Sequence, residues 1–588
     1  MASMIARFLS PLRLGVTLPL ALLLAANAPA GPQKDPLGKA FQKWIRVFQT
    51  GRLNPDEWGF YPKRSLLPSA LMRGFRSARM TRMEEARELF RLLARRGKIE
   101  DGNRLIRVIQ VSLKLGGKAR ARGRRFGRAA SDSLKGLGSN PGVQAAVADR
   151  VSAGLSFRAD KKAPGGKVWT HKEPRLAAAL LPVLGSYRNP VHRKLLERCL
   201  RVNNLDLRVG AAEGLAAMGS GKSIALVASI LGDLKDPADL RRVGRAILEM
   251  IQGKRPPAEE KDLRRALTLV IDRLDSLKDW RSRISLVPIL GAIRSQASVP
   301  FLIGLLKQSK KASPKEFSGT LKNRIHAILM DLTGFFAPVD QVDRWVAWWE
   351  ANKEKFHLAP VRDLDKAKGW TSGKGFFGIP ITGTRVVFVL DISGSMAFPL
   401  PGGTVARGRD GRGSGGGESR MDRAKSELRG AVKSLPVDSK FNVIFFSGGT
   451  KKWRKRLVQA TQKNKKALFA YLEKIHPNGG TALYDGMKEA LHVKELRRRG
   501  DRYSSSVDEI FLLSDGMPSV GEILDPQAIL DRIRDWNLGA NVRINTIFVG
   551  DTRMARRFMP QGGGGMGPDR FMGRMAKEND GVFKKVGR

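Results

Sequence analysis

The sequence predicts an all-α array of stacked helix pairs followed by a doubly wound α/β domain, and three observations carry that prediction. Apolar residues recur at three- and four-residue spacing up to about residue 356, the period drops to two beyond residue 383, and strand and helix patterns then alternate to the end of the chain. At 588 residues the chain is long enough for several domains, and 42% hydrophobic residues exclude global disorder.

The first segment carries a targeting pattern. Arg7 and Arg13 precede an apolar run from Leu14 to Ala26, and small residues follow at Ala28 and Ala30, so residues 1–30 read as a secretory signal peptide. The run falls short of the ~20 residues that a membrane helix needs, and a mature chain beginning near Gly31 has no spanning segment. Retention of the segment as an anchor is the alternative. Residues 31–82 read as a basic, proline-punctuated connection holding Trp44 and Trp58.

Residues 83–356 have helical periodicity. Leu89, Leu92 and Leu93, then Leu105, Val108, Ile109 and Leu113, fall on single helix faces. The stretch Lys118 to Arg128, with Arg120, Arg122, Arg124 and Arg125 around Gly123 and Gly127, is expected to be a solvated basic loop. Between residues 174 and 350 an arginine opening an apolar helix recurs at Arg208, Arg242, Arg283 and Arg324, at separations of 34, 41 and 41 residues. A period of that length gives helix pairs that bury a core only when stacked. The units resemble HEAT repeats. Gly219-Ser220-Gly221-Lys222-Ser223 ends like a phosphate-binding loop, but Ala216 stands where that loop requires glycine and a helix precedes it, so it reads as an inter-helix turn. Trp345, Trp348 and Trp349 share a helix face and are expected to close the array's core, with a stacking platform for bases or sugars as the alternative.

Residues 357–383, rich in glycine, lysine and proline, read as a linker. After it, strands are expected at Arg385 to Leu390, Phe441 to Phe446, Glu509 to Leu513, Val542 to Val549 and Gly581 to Val586. Helices are expected near Arg420 to Ser434, Lys465 to Ile475, Ala482 to Leu496, Pro526 to Asp535 and Arg570 to Asn579. Such alternation implies a mostly parallel sheet covered on both faces, with its ligand site at the carboxyl ends of the strands.

Oxygen-bearing side chains collect at those ends. Asp391, Ser393 and Ser395 follow the apolar run Val386 to Leu390, Thr481 precedes a helix, and Asp515 follows Ile510 to Leu513. Two carboxylates and three hydroxyls suit a hard divalent cation and leave it able to accept one more anionic oxygen. The pattern resembles the von Willebrand factor type A family and its metal-ion-dependent adhesion site, over residues 384–588. The resemblance implies that Ser393, Ser395 and Thr481 offer hydroxyls to magnesium, with manganese or calcium as alternatives, while Asp391 and Asp515 coordinate directly or through water. It also implies a binding module whose protein partner supplies an Asp or Glu to the metal. Tyr484 and Asp485 read as packing and helix-start residues. The glycine-rich insertion Pro401 to Arg420, with Arg407, Arg409 and Arg412, lies beside the metal edge, where its arginines could help hold an acidic partner.

Composition narrows the function. The only cysteine, Cys199, permits no intramolecular disulfide and no thiolate zinc cluster, and six histidines without a HExxH motif argue against a metalloprotease. No histidine, lysine or cysteine is placed beside the oxygen cluster as base or nucleophile, so no enzymatic activity is expected. The whole chain resembles exported bacterial proteins of HEAT and von Willebrand A composition. The expected function is that of an exported binding protein of the periplasm, envelope or medium, with the helical array as scaffold or second surface. The net charge of +51 adds anionic surface polymers to the candidate partners. A basic helical region followed by a metal-site domain also resembles the Ro ribonucleoprotein family, which makes RNA the alternative partner, opposed by the signal peptide.

Overall fold

A computed structural model describes residues 35–50, 82–115, 119–159, 167–253, 258–313, 316–360, 375–400, 418–491, 494–496, 502–550 and 566–586. Residues 1–30, expected as a signal peptide, and Trp58 lie outside them, as do residues 401–417 of the expected insertion. The array comprises α1 (Pro36–Thr50), α2 (Arg82–Arg96), α3 (Ile99–Lys114), α4 (Ala119–Lys135), α5 (Pro141–Ser152), α6 (Pro174–Ser186), α7 (Arg193–Leu200), α8 (Leu205–Met218), α9 (Ile224–Ala228), α10 (Pro237–Gln252), α11 (Glu260–Ser276), α12 (Trp280–Arg283), α13 (Val287–Ile293), α14 (Ser298–Gln308), α15 (Gly319–Thr333) and α16 (Val342–Asn352). A hairpin, β1 (Leu155–Ala159) and β2 (Lys167–His171), interrupts it between α5 and α6.

Three sequence expectations change here. Part of the segment read as an N-terminal connection is α1, whose Phe41, Trp44, Ile45 and Phe48 are buried. Trp44 stacks on Phe48 at 5.0 Å and meets Phe90 and Phe126 edge-on. The described part of the basic stretch expected as a loop is α4. Its glycines serve close packing instead of a turn, since a Cβ on Gly123 would stand 2.5 Å from the Ser112 carbonyl of α3. From residue 375 the segment expected as linker is core: Phe376 is fully buried, edge-on to Phe388 and Phe511.

The recurring arginines tie the array's layers. Arg208 and Arg283 each donate Nε to the carbonyl six residues upstream, Val202 at 2.8 Å and Leu277 at 2.6 Å, while Arg242 forms a two-pronged bond to Glu213 at 2.7 Å. Gly219 caps α8 in the left-handed conformation (φ 77°) and Gly221–Ser223 form a single tight turn, so the glycine-lysine-serine stretch joins two helices. Trp345 is buried, with Phe335 edge-on at 5.2 Å; Trp348 stacks on Phe335 at 5.0 Å and Trp349 packs on Phe356, which closes the core. Cys199 is buried, and burial pushes its thiol up to about 12.

The second domain is built from β3 (Arg385–Asp391), α17 (Arg420–Ser434), β4 (Lys440–Phe446), β5 (Thr450–Lys452), β6 (Val458–Gln459), α18 (Gln462–Glu473), α19 (Leu483–Leu491), β7 (Lys494–Leu496), β8 (Arg502–Ser504), β9 (Glu509–Ser514), α20 (Pro526–Ala540), β10 (Arg543–Phe548), α21 (Pro568–Glu578) and β11 (Phe583–Lys585). Its main sheet runs β11-β10-β9-β3-β4-β5, with β6 also on β4; β7 and β8 form a separate hairpin. The pairs among β11, β10, β9, β3 and β4 are parallel, and β5 and β6 add antiparallel edges. Helices α17 and α18 cover one face and α19, α20 and α21 the other, so β3, β4 and β9 are apolar on both sides. The chain passes from β3 outward to β4 and later returns to place β9 on β3's other side. That reversal opens a crevice between the carboxyl ends of β3 and β9.

The array docks on this domain along α20. Arg87 reaches Asp525 and Asp531, and Arg124 and Arg128 reach Asp535, the latter at 2.6 Å. Arg281 donates to the carbonyls of Ala540 and Ser505, and Asn541 returns a bond to the Arg281 carbonyl. Arg241 binds the Asn537 carbonyl and, with Arg245, Asp580.

Candidate metal centre

The crevice holds the sequence-predicted cluster. β3 ends in Asp391, which is fully buried; its Oδ1 accepts the Ser393 amide at 2.8 Å, which turns the chain into the short helical turn Gly394–Ala397. Ser393 Oγ lies 3.1 Å from Ser395 Oγ, and Ser395 Oγ donates to Asp515 Oδ1 at 2.8 Å. Four of the five residues thus form one hydrogen-bonded set. Thr481 sits on the neighbouring loop, which is pinned by Asn478 N to Ile392 O (2.8 Å) and Gly394 N to Gly479 O (3.0 Å). The Thr481 amide donates to Ser519 Oγ at 2.8 Å, and the residue is 6% exposed. Tyr484 packs on Trp536 at 5.4 Å, and Asp485, in the first turn of α19, accepts the Glu522 amide.

Burial raises the proton affinity of Asp391, and the Asp515 carboxylate raises it further. The bonds from Ser393 and Ser514 pull the other way without cancelling it. Two carboxylates held together out of water favour any cation that enters between them. The donors are all oxygens, so the residues fit a hard divalent cation such as magnesium. Among the described residues no group of three or more His, Cys, Asp or Glu side chains offers another metal site.

Two residues of this centre escaped the sequence reading. Ser514 Oγ donates to Asp391 Oδ2 at 2.5 Å, fixing the oxygen that Ser393 leaves free. Arg420 Nη1 donates to Asp515 Oδ2 at 2.5 Å and is nearly buried, its guanidinium 5.8 Å above the Phe398 ring. Ser419 caps α17 by accepting the Asp422 amide at 3.0 Å and donating to its carboxylate at 2.6 Å; this reciprocal cap sets where Arg420 starts. The signal for Ser514 was its place beside Asp515. Arg420 carried none, because residues 401–417 separate it from Ser395 in sequence.

The fold and this crevice define a von Willebrand factor type A domain. The family model of that domain matches residues 386–517, and the chain therefore carries one. Curated relatives are similar over part of the chain: the inter alpha-trypsin inhibitor heavy chain 4 of Mus musculus is 30% identical over 158 residues, 27% of this chain and 14% of that one. The inter-alpha-trypsin inhibitor heavy chain H3 of Homo sapiens is 27% identical over 181 residues, 29% of this chain and 18% of its own. The chain thus spans less than a fifth of the length of these relatives. Among solved structures, a von Willebrand factor type A protein from Catenulispora acidiphila is 17% identical, with 35% and 38% of the two chains covered and a TM-score of 0.23. Proximal thread matrix protein 1 from the mussel byssus, with a zinc occupied MIDAS motif, is 16% identical, with 34% and 41% covered and a TM-score of 0.21. Among the described residues no helix is long and apolar enough to cross a membrane.

Proposed function

We propose that this is an exported, non-enzymatic binding protein whose von Willebrand A domain holds a divalent cation, magnesium first, with manganese or calcium as alternatives. Asp391, Ser393, Ser395, Thr481 and Asp515 are its ligands. The bound ion supplies an electrophilic position for a carboxylate oxygen, and a partner protein's Asp or Glu fills it. The chain's own residues prepare that position: Ser514 and the Ser393 amide orient Asp391, and the pinned Asn478 to Thr481 loop sets the rim. The HEAT-like array is the scaffold, or a second surface for protein or an anionic polymer.

The observation that carries this reading is the convergence of Asp391, Ser393, Ser395 and Asp515 in one hydrogen-bonded set at the reversal of strand order. Titration calorimetry with magnesium chloride on the full chain tests it. One site is expected in the wild type, and Asp391→Ala or Thr481→Ala should abolish it while leaving the circular dichroism spectrum unchanged. Unaltered magnesium binding in both variants would sink the assignment.

A further inference from the structure

A cavity of about 450 Å³ lies where the array meets the von Willebrand A domain, walled by α10, α13 and α15 on one side and by Asn541, Arg543 and Asp580 on the other. Four arginines face it: Arg241 and Arg245 from α10, Arg324 from α15 and Arg543 from β10. The carboxylates at hand are already committed. Asp580 binds Arg241 at 2.6 Å and Arg245 at 3.5 Å, and Asp331 binds Arg294 at 2.5 Å. Glu509, 3.8 Å from Arg543 Nε, spends its oxygens on the Thr382 and Gly383 amides, the Thr382 hydroxyl and the Asn545 amide.

Arg324 breaks the array's own rule. Its counterparts Arg208, Arg242 and Arg283 are each satisfied within the array. Among the described residues, Arg324 has neither a hydrogen bond nor a carboxylate within ion-pair distance. Burial and then the neighbouring Arg543 work against its charge, with Asp580 offsetting part of that. One turn earlier on the same face of α15, Thr320 Oγ1 is buried without a hydrogen-bond partner, and so is Arg543 Nε. Buried donors without acceptors are costly, and two of them, Thr320 Oγ1 and Arg543 Nε, converging with the half-buried Arg324 on one cavity mark a place where acceptors belong. Apolar lining comes from the same three helices, with Leu248 of α10, Pro288 of α13 and Ile328 of α15.

We infer that this cavity binds a small organic anion carrying at least two negative charges, its oxyanion held by Arg324, Arg543 and Thr320 and its body against the apolar lining. A phosphate ester and a polycarboxylate share that chemistry, and guanidinium groups suit both. Because the wall draws on both domains, the anion would tie the array to the metal-binding domain. The cavity's size is in the range of small-molecule sites.

Thermal unfolding and calorimetry of the full chain, with pyrophosphate and citrate as probes, test the inference. A saturable site is expected for at least one probe, together with a higher melting temperature; the tighter probe tells phosphate from carboxylate chemistry. Arg324→Gln should weaken binding about tenfold or more, and without anion it should unfold at a higher temperature than wild type, since it removes a half-buried charge with no ion-pair partner among the described residues. Arg264→Gln, at an exposed pair, serves as control for diffuse attraction to a basic chain. Binding equal in Arg324→Gln and wild type, or no saturation by either probe at about 1 mM, overturns it. So does an anion-free Arg324→Gln protein less stable than wild type, which would make Arg324 structural. Thr320→Val, which keeps every charge, should lower affinity without lowering the melting temperature.

Discussion

Arg420 places a fixed positive charge on a carboxylate proposed to serve a metal. Its bond to Asp515 Oδ2 leaves Oδ1 turned to Ser395, so the arginine orients the carboxylate and competes with an incoming cation for its charge. Of the two effects, repulsion is the longer-ranged, because a charge a few ångströms from a divalent ion in a partly buried site is worth on the order of several kcal/mol at an effective dielectric near 20. Arg420→Gln keeps a donor for Asp515 and removes the charge, so magnesium affinity measured by calorimetry should rise about tenfold, or ~1.4 kcal/mol. A fall in affinity would show that positioning dominates. At this scale the sequence shows what its order shows. Asp391, Ser393 and Ser395 are legible because one strand end presents them together, and Thr481 and Asp515 because each borders a recognisable element. Arg420 and Ser514 were not, since their roles depend on which oxygen of a carboxylate is left free, and that is a property of the folded crevice.

Elements with a continuous apolar pattern are the most legible, and short exposed ones the least. The strands Arg385–Asp391, Lys440–Phe446 and Glu509–Ser514 lie within two residues of their expected bounds because packing on both faces makes them continuous apolar runs. The edge strands Thr450–Lys452 and Val458–Gln459 are short and largely exposed, so they have no apolar period to read. Helix Pro36–Thr50 does carry helix spacing at Phe41, Trp44, Ile45 and Phe48, within a stretch whose basic charge and prolines point to a connection. Glycine misled in α4 for a physical reason that recurs where α6 crosses α8. There a Cβ on Gly185 would stand 1.9 Å from the Gly214 carbonyl, so the helices touch backbone to backbone. Gly185→Ala should therefore lower stability by about 1–3 kcal/mol. Gly430, in α17 with nothing within 4 Å of its Cβ position, should gain about 0.5–1 kcal/mol from the same change. Chemical denaturation of the two variants checks the pair; equal effects would show that helix propensity, and not the crossing, sets the outcome.

At the scale of the whole molecule, the net charge of +51 is less available than composition suggests. Arg87, Arg124, Arg128, Arg241 and Arg281 face the von Willebrand A domain, where acidic residues and carbonyls along α20 receive them. That face of the array is a domain interface, so an RNA or polymer partner would need the array's other surfaces. The same pairing makes docking sensitive to acid. Burial opposes the charges of Asp535 and Asp580, but Arg128 and Arg124 in one case and Arg241, Arg245 and Arg324 in the other outweigh it, and both carboxyls sit below their usual range. A carboxyl depressed in the docked state stabilises docking fully above its undocked pKa, near 4. That contribution is lost as pH falls through the lower docked value. Asp531 has the opposite sign: burial raises it more than Arg128, Arg87 and Arg534 lower it, so its protonation on acidification relieves a cost. Asp531 therefore offsets part of the loss that Asp535 and Asp580 carry. Hydrogen exchange across helix Pro526–Ala540 should therefore show protection that weakens as pH falls below about 4, where Asp535 and Asp580 take up protons. Asp535→Asn and Asp580→Asn together should remove most of that dependence. A double variant that keeps the wild-type acid profile would place the acid-labile contacts elsewhere in the chain.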